Sequence, residues 1–188
     1  MKLESPGILP YCSGNPSMMN TPRFLVTLAL LAVALPSLSA EDINNDWLTD
    51  GGASWKTKQA PGMTMSASVT TEDGQNALQV VVADVTPDSS SSADARIYRT
   101  FGGVDADQSY IIRFQAKAAQ PGRVIVFIHP QDAPQQILLR KDISIDQEWN
   151  DFTIKFPAKE TTSNCVLGFA GLGQENNTFT FRAITLEH

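Results

Sequence analysis

Six residues in the middle of the chain have side chains suited to holding a polar ring: Tyr98, Arg113, Gln115, Phe127, His129 and Gln136. The rings of Tyr98 and Phe127 can pack on a C–H face, and the planar polar groups can give directed hydrogen bonds to hydroxyls. Their spacing is that of strands. In SYIIRFQAKAAQPGRVIVFI, Ser109–Ile128, the residues Tyr110, Ile112, Phe114 and Ala116 alternate with Ile111, Arg113, Gln115 and Lys117. After the turn, Val124, Val126 and Ile128 alternate with Ile125, Phe127 and His129. One set makes a core face. The other is mixed: solvated faces rarely carry Phe and Ile, and core faces rarely carry Arg and Gln.

If AAQPG closes a hairpin, Gln115 faces Ile125, Arg113 faces Phe127 and Ile111 faces His129, all on the mixed side. With Ile137 and Leu139 turned to the core, Gln136, Leu138 and Arg140 join that side; a one-residue step in register would reverse the third strand. Tyr98 and Arg96, alternating with the core residue Ile97, extend the surface. Aromatic and planar polar groups on one face are what a saccharide requires. The competing expectation is that a loop or the Trp47–Trp55 segment covers this face.

Signals for catalysis are poor. The chain has two histidines, and one of them, His188, is terminal. No GxSxG, HExxH, P-loop or metal-spaced Cys/His cluster occurs. Carboxylates are plentiful, but no spacing marks two that would flank a glycosidic bond. The expectation is a non-catalytic carbohydrate binder with no catalytic residues and no metal ligands. Two other readings use the same residues. One is a structural or adhesion β-sandwich without a sugar ligand. The other is a jelly-roll polysaccharide lyase in which Arg113, Gln115, His129 and Tyr98 neutralise a uronate and move its proton.

These side chains must be positioned by strands. No convincing amphipathic helix follows residue 40. Short runs with strand composition cover Met63–Val69, Ala77–Ala83, Ala95–Phe101, Tyr110–Ala118, Arg123–His129, Gln135–Ile143, Asp151–Phe156, Asn164–Ala170 and Thr178–Leu186. Turn residues separate them, as in TEDGQN, AAQPG and GLGQENN. Nine such runs without helix alternation predict an all-β fold, a two-sheet antiparallel β-sandwich of the jelly-roll kind. Trp47 and Trp55 are expected to close one end of its core. Cys165, in an apolar setting, is expected to be a small buried hydrophobe. Ser89–Ser92 reads as a mobile loop tip.

The order of motifs resembles the carbohydrate-binding modules of the CenC type, families 4, 9 and 22, which are β-jelly rolls. The resemblance rests on Gly74-Gln-Asn-Ala-Leu-Gln-Val80, Tyr110-Ile-Ile-Arg-Phe-Gln-Ala-Lys-Ala118, Glu148-Trp-Asn-Asp-Phe-Thr153, Val166-Leu-Gly-Phe169 and the closing Phe179–Leu186. It spans nearly all of the chain after residue 40, and its motifs are mostly structural. It implies binding of a polysaccharide or oligosaccharide on one sheet face. It also implies a structural calcium site built from the family's N-G-x-F-E start and a late Asp. Here the start is Asn45-Asp-Trp-Leu-Thr49 and Arg182 stands where that Asp would be, which disfavours a cation. No cofactor is therefore expected; Asp84, Asp88 and Asp94 are the alternative source of calcium ligands.

Phe24–Leu35 is an apolar run of 12 residues between Arg23 and PSLSA, the layout of a secretory signal peptide. A membrane span would need about 20. The expected organisation is 1–18 as a misassigned start or disordered segment, 19–40 as the signal peptide and 41–188 as one binding domain, secreted or periplasmic. Removing 1–40 takes away Lys2, Arg23 and Glu4, leaving 12 basic and 19 acidic residues, a net charge of −7. That balance disfavours nucleic acid and anionic membrane as partners. One cysteine, Cys165, remains, so no internal disulfide forms. A monomer is expected. Modules of the resembled type are commonly appended to enzymes. This chain leaves no length for a catalytic domain, so the expected role is that of a scavenger, a cell-surface component or a partner for a separately encoded glycan-degrading enzyme.

Overall fold

A computed structural model describes residues 45–59, 61–85 and 94–188. The expected signal peptide, the first 18 residues, Asp88 and the Ser89–Ser92 tip lie outside these. Among the described residues ten strands form, in order β1 (Lys56–Lys58), β2 (Met63–Glu72), β3 (Gln75–Val85), β4 (Arg96–Val104), β5 (Ser109–Ala118), β6 (Gly122–Pro130), β7 (Leu139–Ile145), β8 (Asn150–Pro157), β9 (Thr162–Ala170) and β10 (Asn177–Glu187). They pair into two antiparallel five-stranded sheets, β1-β4-β9-β6-β7 and β2-β3-β10-β5-β8. The all-β sandwich read from the sequence is the observed fold. Each of the nine expected runs overlaps a strand; β1 is additional. No helix among the described residues is long and apolar enough to cross a membrane.

Alternation explains the packing. On β5, Tyr110, Ile112, Phe114, Ala116 and Ala118 are buried; on β6, Val124, Val126 and Ile128 are fully buried. Phe114, Phe169 and Phe181 meet across the sheets with ring centroids 4.3–6.4 Å apart. Trp47 is 1% exposed, and Trp55 stacks on Phe169 at 5.9 Å, so both close the core as expected. Cys165 is buried in that core, and burial pushes its thiol up to about 11. The β2–β3 hairpin turns through Asp73 and Gly74, both at positive φ, which is the dihedral pair a two-residue Asp-Gly turn provides.

One expected pairing is wrong. AAQPG does not close a hairpin: β5 and β6 lie in different sheets. The amides of the connection bond outward, Ala118 N–H to Asp146 O at 2.7 Å and Ala119 N–H to Thr178 O at 2.8 Å. The Asn177 side chain accepts from Gln120 N–H and donates to Gln120 O, 3.0 Å each. These partners on β10 and the β7–β8 loop carry the chain across the sandwich. Arg113 and Phe127 are therefore not neighbours. Arg113 pairs with Thr153 of β8 and Thr185 of β10; Phe127 pairs with Arg140 of β7 and Gly168 of β9.

The third strand also begins later than its composition indicates. Ile137 is 51% exposed instead of core-facing, and β7 starts at Leu139, which packs against the core. Arg140 does face outward beside Phe127, as the alternation requires.

Candidate functional site on the outer face of one sheet

Backbone register places one residue from each strand of the first sheet in a single row. Lys56 of β1 faces Tyr98 of β4, Tyr98 faces Gly168 of β9, Gly168 faces Phe127 of β6, and Phe127 faces Arg140 of β7. Two aromatic residues thus flank a glycine, and a cation stands at each end. Strands sit about 4.8 Å apart, so the row spans on the order of 19 Å, the reach of a few sugar units. The row to one side runs through Thr100, Val166 and His129, and that to the other through Lys58, Arg96, Ala170, Ile125 and Asp142.

The glycine shapes the floor. With no Cβ at Gly168, the Phe127 ring lies down on the strand and forms a small apolar cluster with Val166 and Ala170, joined by Tyr98 and Ile125. Phe127 is 7% exposed, so it is a floor more than a free-standing platform; Tyr98 stays half-buried. The His129 ring lies parallel to Phe127, centroids 5.5 Å apart. His129 Nδ1 is 2.7 Å from Pro130 O, and a carbonyl can only accept, so Nδ1 is the donor of that contact. The Arg96 guanidinium lies 6.0 Å from the Tyr98 ring centre and 5.9 Å from that of Phe127. Its Nε is buried without a hydrogen-bond partner. Together Lys56, Arg96, Tyr98, Thr100, Phe127, His129, Gln131 and Val166 line a groove of about 280 Å³. A second concavity, about 620 Å³, is lined by Arg123, Ile125, Asp142, Ser144, Asp146 and Gln174.

The opposite outer face is built differently. Arg113 pairs with Glu187 at 3.0 Å and donates to Thr153 Oγ1. Gln115 donates to Asp151 at 2.8 Å and accepts from Arg182 Nε at 2.7 Å. Lys117 pairs with Glu72, and Arg182 with Asp73. Arg182 also lies 4.0 Å from the centre of the Trp149 ring. These four side chains are each held by a protein partner.

A family model described as a carbohydrate binding domain, of types 4 and 9, matches residues 38–174. The chain belongs to this family of carbohydrate-binding domains. Such domains are non-catalytic binding modules, and the resemblance to CenC-type modules holds. No curated protein matches the chain. A structure of a family 4 carbohydrate-binding module is similar at TM-score 0.60 and 18% identity, covering 80% of this chain and 99% of that one. The N-terminal cellulose-binding domain of Cellulomonas fimi β-1,4-glucanase C is similar at TM-score 0.59 and 19% identity, covering 79% and 97%. A family 16 carbohydrate-binding module gives 0.51 and 18%, covering 78% and 99%. At these identities the likeness is one of fold.

Within this carbohydrate-binding domain the six candidate residues divide. Tyr98, Phe127 and His129 come together in the groove. Arg113 and Gln115 lie on the far sheet, so the lyase set of Arg113, Gln115, His129 and Tyr98 is split across the sandwich. Gln136 sits in the β6–β7 loop, where its amide donates to Glu160. Lys56, Thr100, Gln131 and Val166 were missed. Lys56-Thr-Lys58 is too short to show a period, and Gln131 follows the strand. The Trp47–Trp55 segment packs on the core side and does not cover the groove. Among the described residues no three His, Cys, Asp or Glu side chains are grouped to hold a metal.

Proposed function

We propose that the domain is exported by the 19–40 signal peptide and binds a polysaccharide or oligosaccharide chain on the outer face of the β1-β4-β9-β6-β7 sheet. The row Lys56, Tyr98, Gly168, Phe127, Arg140 carries this reading. A sugar ring resting across Tyr98 and Phe127 buries its C–H face, while its hydroxyls reach Arg96, His129 and Gln131. On the far face Arg113, Gln115, Lys117 and Arg182 already hold protein partners, which leaves them less available to a ligand. A module of this kind concentrates glycan at the cell surface or for a separately encoded degrading enzyme.

A glycan-array and affinity-gel screen of the exported protein, run with calcium and with chelator, tests the reading. Retention by one or more glycans is expected, without release of unsaturated product. Binding to none of them would favour a structural or adhesion domain.

A further inference from the structure

The groove's charge bears on the class of glycan, and the inference rests on the reading of this face as the sugar site. In a chain of net charge −6, the outer face of this sheet carries Lys56, Lys58, Arg96, Arg123 and Arg140 against the carboxylate of Asp142. Among the described residues none of these five cations enters an ion pair, whereas Arg113, Lys117 and Arg182 on the opposite face each do. The groove itself is lined by Lys56, Arg96 and His129 and by no acidic side chain. A neutral glycan needs hydrogen-bond donors and acceptors in balance; a groove with cations and no carboxylate suits a ligand that brings the negative charge.

We propose that this face selects an acidic glycan, one with uronate residues along its chain. The aromatic floor of Tyr98 and Phe127 takes a sugar ring. The carboxylate of that ring, or of its neighbour, lies between Lys56 and Arg96, which stand diagonally, two rungs apart on the same face of paired strands. Arg96 supplies the planar fork that suits a carboxylate, and the two rings beside it limit its freedom before the ligand arrives. Lys56, at the sheet edge, adds a mobile point charge. The protein's overall negative charge is screened beyond roughly 10 Å at ordinary salt, so the local cations decide the contact.

The test compares an oligogalacturonate with a neutral cello-oligosaccharide of equal length, by calorimetry on the exported protein, at low and high salt. The uronate should bind about ten-fold or more tightly at low salt, and the preference should shrink as salt rises. Lys56→Gln and Arg96→Gln should each lower uronate affinity several-fold more than neutral-glycan affinity, so that most of the preference is lost. Arg96→Lys, which keeps the charge, should retain part of it. Circular dichroism and thermal melts check that each variant folds. Equal or tighter binding of the neutral chain, unaffected by these variants, would overturn the acidic-glycan inference and leave the sugar face standing. Binding of neither probe, nor of any glycan in the wider screen, would remove both.

Discussion

Gly168 lies directly beneath the Phe127 ring: a Cβ on the glycine would come 2.5 Å from Phe127 Cζ and 2.6 Å from the Ile97 carbonyl oxygen. The groove floor exists because this strand position has no side chain. Gly168→Ala must lift the ring and strain the β4–β9 ladder. A destabilisation of ~1–3 kcal/mol is expected, as for other overpacked sites, with a loss of glycan binding larger than the stability change explains. Denaturant melts and affinity electrophoresis on the same variant check both. Unchanged binding would mean that the ring's position does not matter to the ligand.

Phe127 and Phe169 are one strand apart and face opposite ways. Phe169 stacks with Trp55 and Phe181 in the main core, while Phe127 is covered only by the outer cluster. Phe169→Ala should cost ~3–5 kcal/mol, and Phe127→Ala clearly less, ~1–3 kcal/mol. Denaturant midpoints compare them. Equal costs would make the outer cluster a second structural core.

Calcium should not support the fold. Arg182 occupies its place on β10 with Asp73, Gln115 and Trp149 around it, and Asp46 already accepts from Leu48 N–H at 3.1 Å. Thermal melts with calcium and with chelator should coincide. A large calcium-dependent rise in Tm would point to the Asp84–Asp94 segment as a binding loop.

Burial of Cys165 predicts both slow thiol chemistry and a pH signature. The folded thiol ionises at about 11, against an ordinary value of 9.0. Above the lower value the unfolded chain releases a proton that the folded chain keeps, so stability falls as pH climbs from 9.0 towards about 11 and is unaffected by this group below that window. The slope should be smaller in Cys165→Ala. Thiol reagents should modify native protein slowly and denatured protein fast; fast native labelling would contradict the burial.

Within a strand, the direction of each side chain could be read from alternation alone, because the period of two is a property of the backbone. Val126 and Ile128 inward, Phe127 and Arg140 outward, all follow from it. Which sheet a strand joins could not. The link between Ala118 and Gly122 is short enough for a hairpin, and both strands bury the same apolar residues whether they pair side by side or face each other across the core. The bonds that decide it come from Asp146, Asn177 and Thr178, remote in sequence. The candidate site inherited that ambiguity: Arg113 and Phe127 share an alternation pattern but not a surface. Lys56 enters the groove only because β1 pairs with β4, which three residues of sequence do not signal.

The most direct measurement sets the two faces against each other. Tyr98→Ala removes the half-buried ring of the groove, and Arg113→Ala removes a 48%-exposed side chain from the opposite sheet. Affinity electrophoresis on the best glycan from the screen should show Tyr98→Ala weakened about ten-fold or more, the loss of one stacking contact. Arg113→Ala should bind as the parent does, its exposed ion pair being worth only ~0–1 kcal/mol of stability. Loss of binding in Arg113→Ala with Tyr98→Ala unaffected would place the ligand on the other sheet and contradict the account.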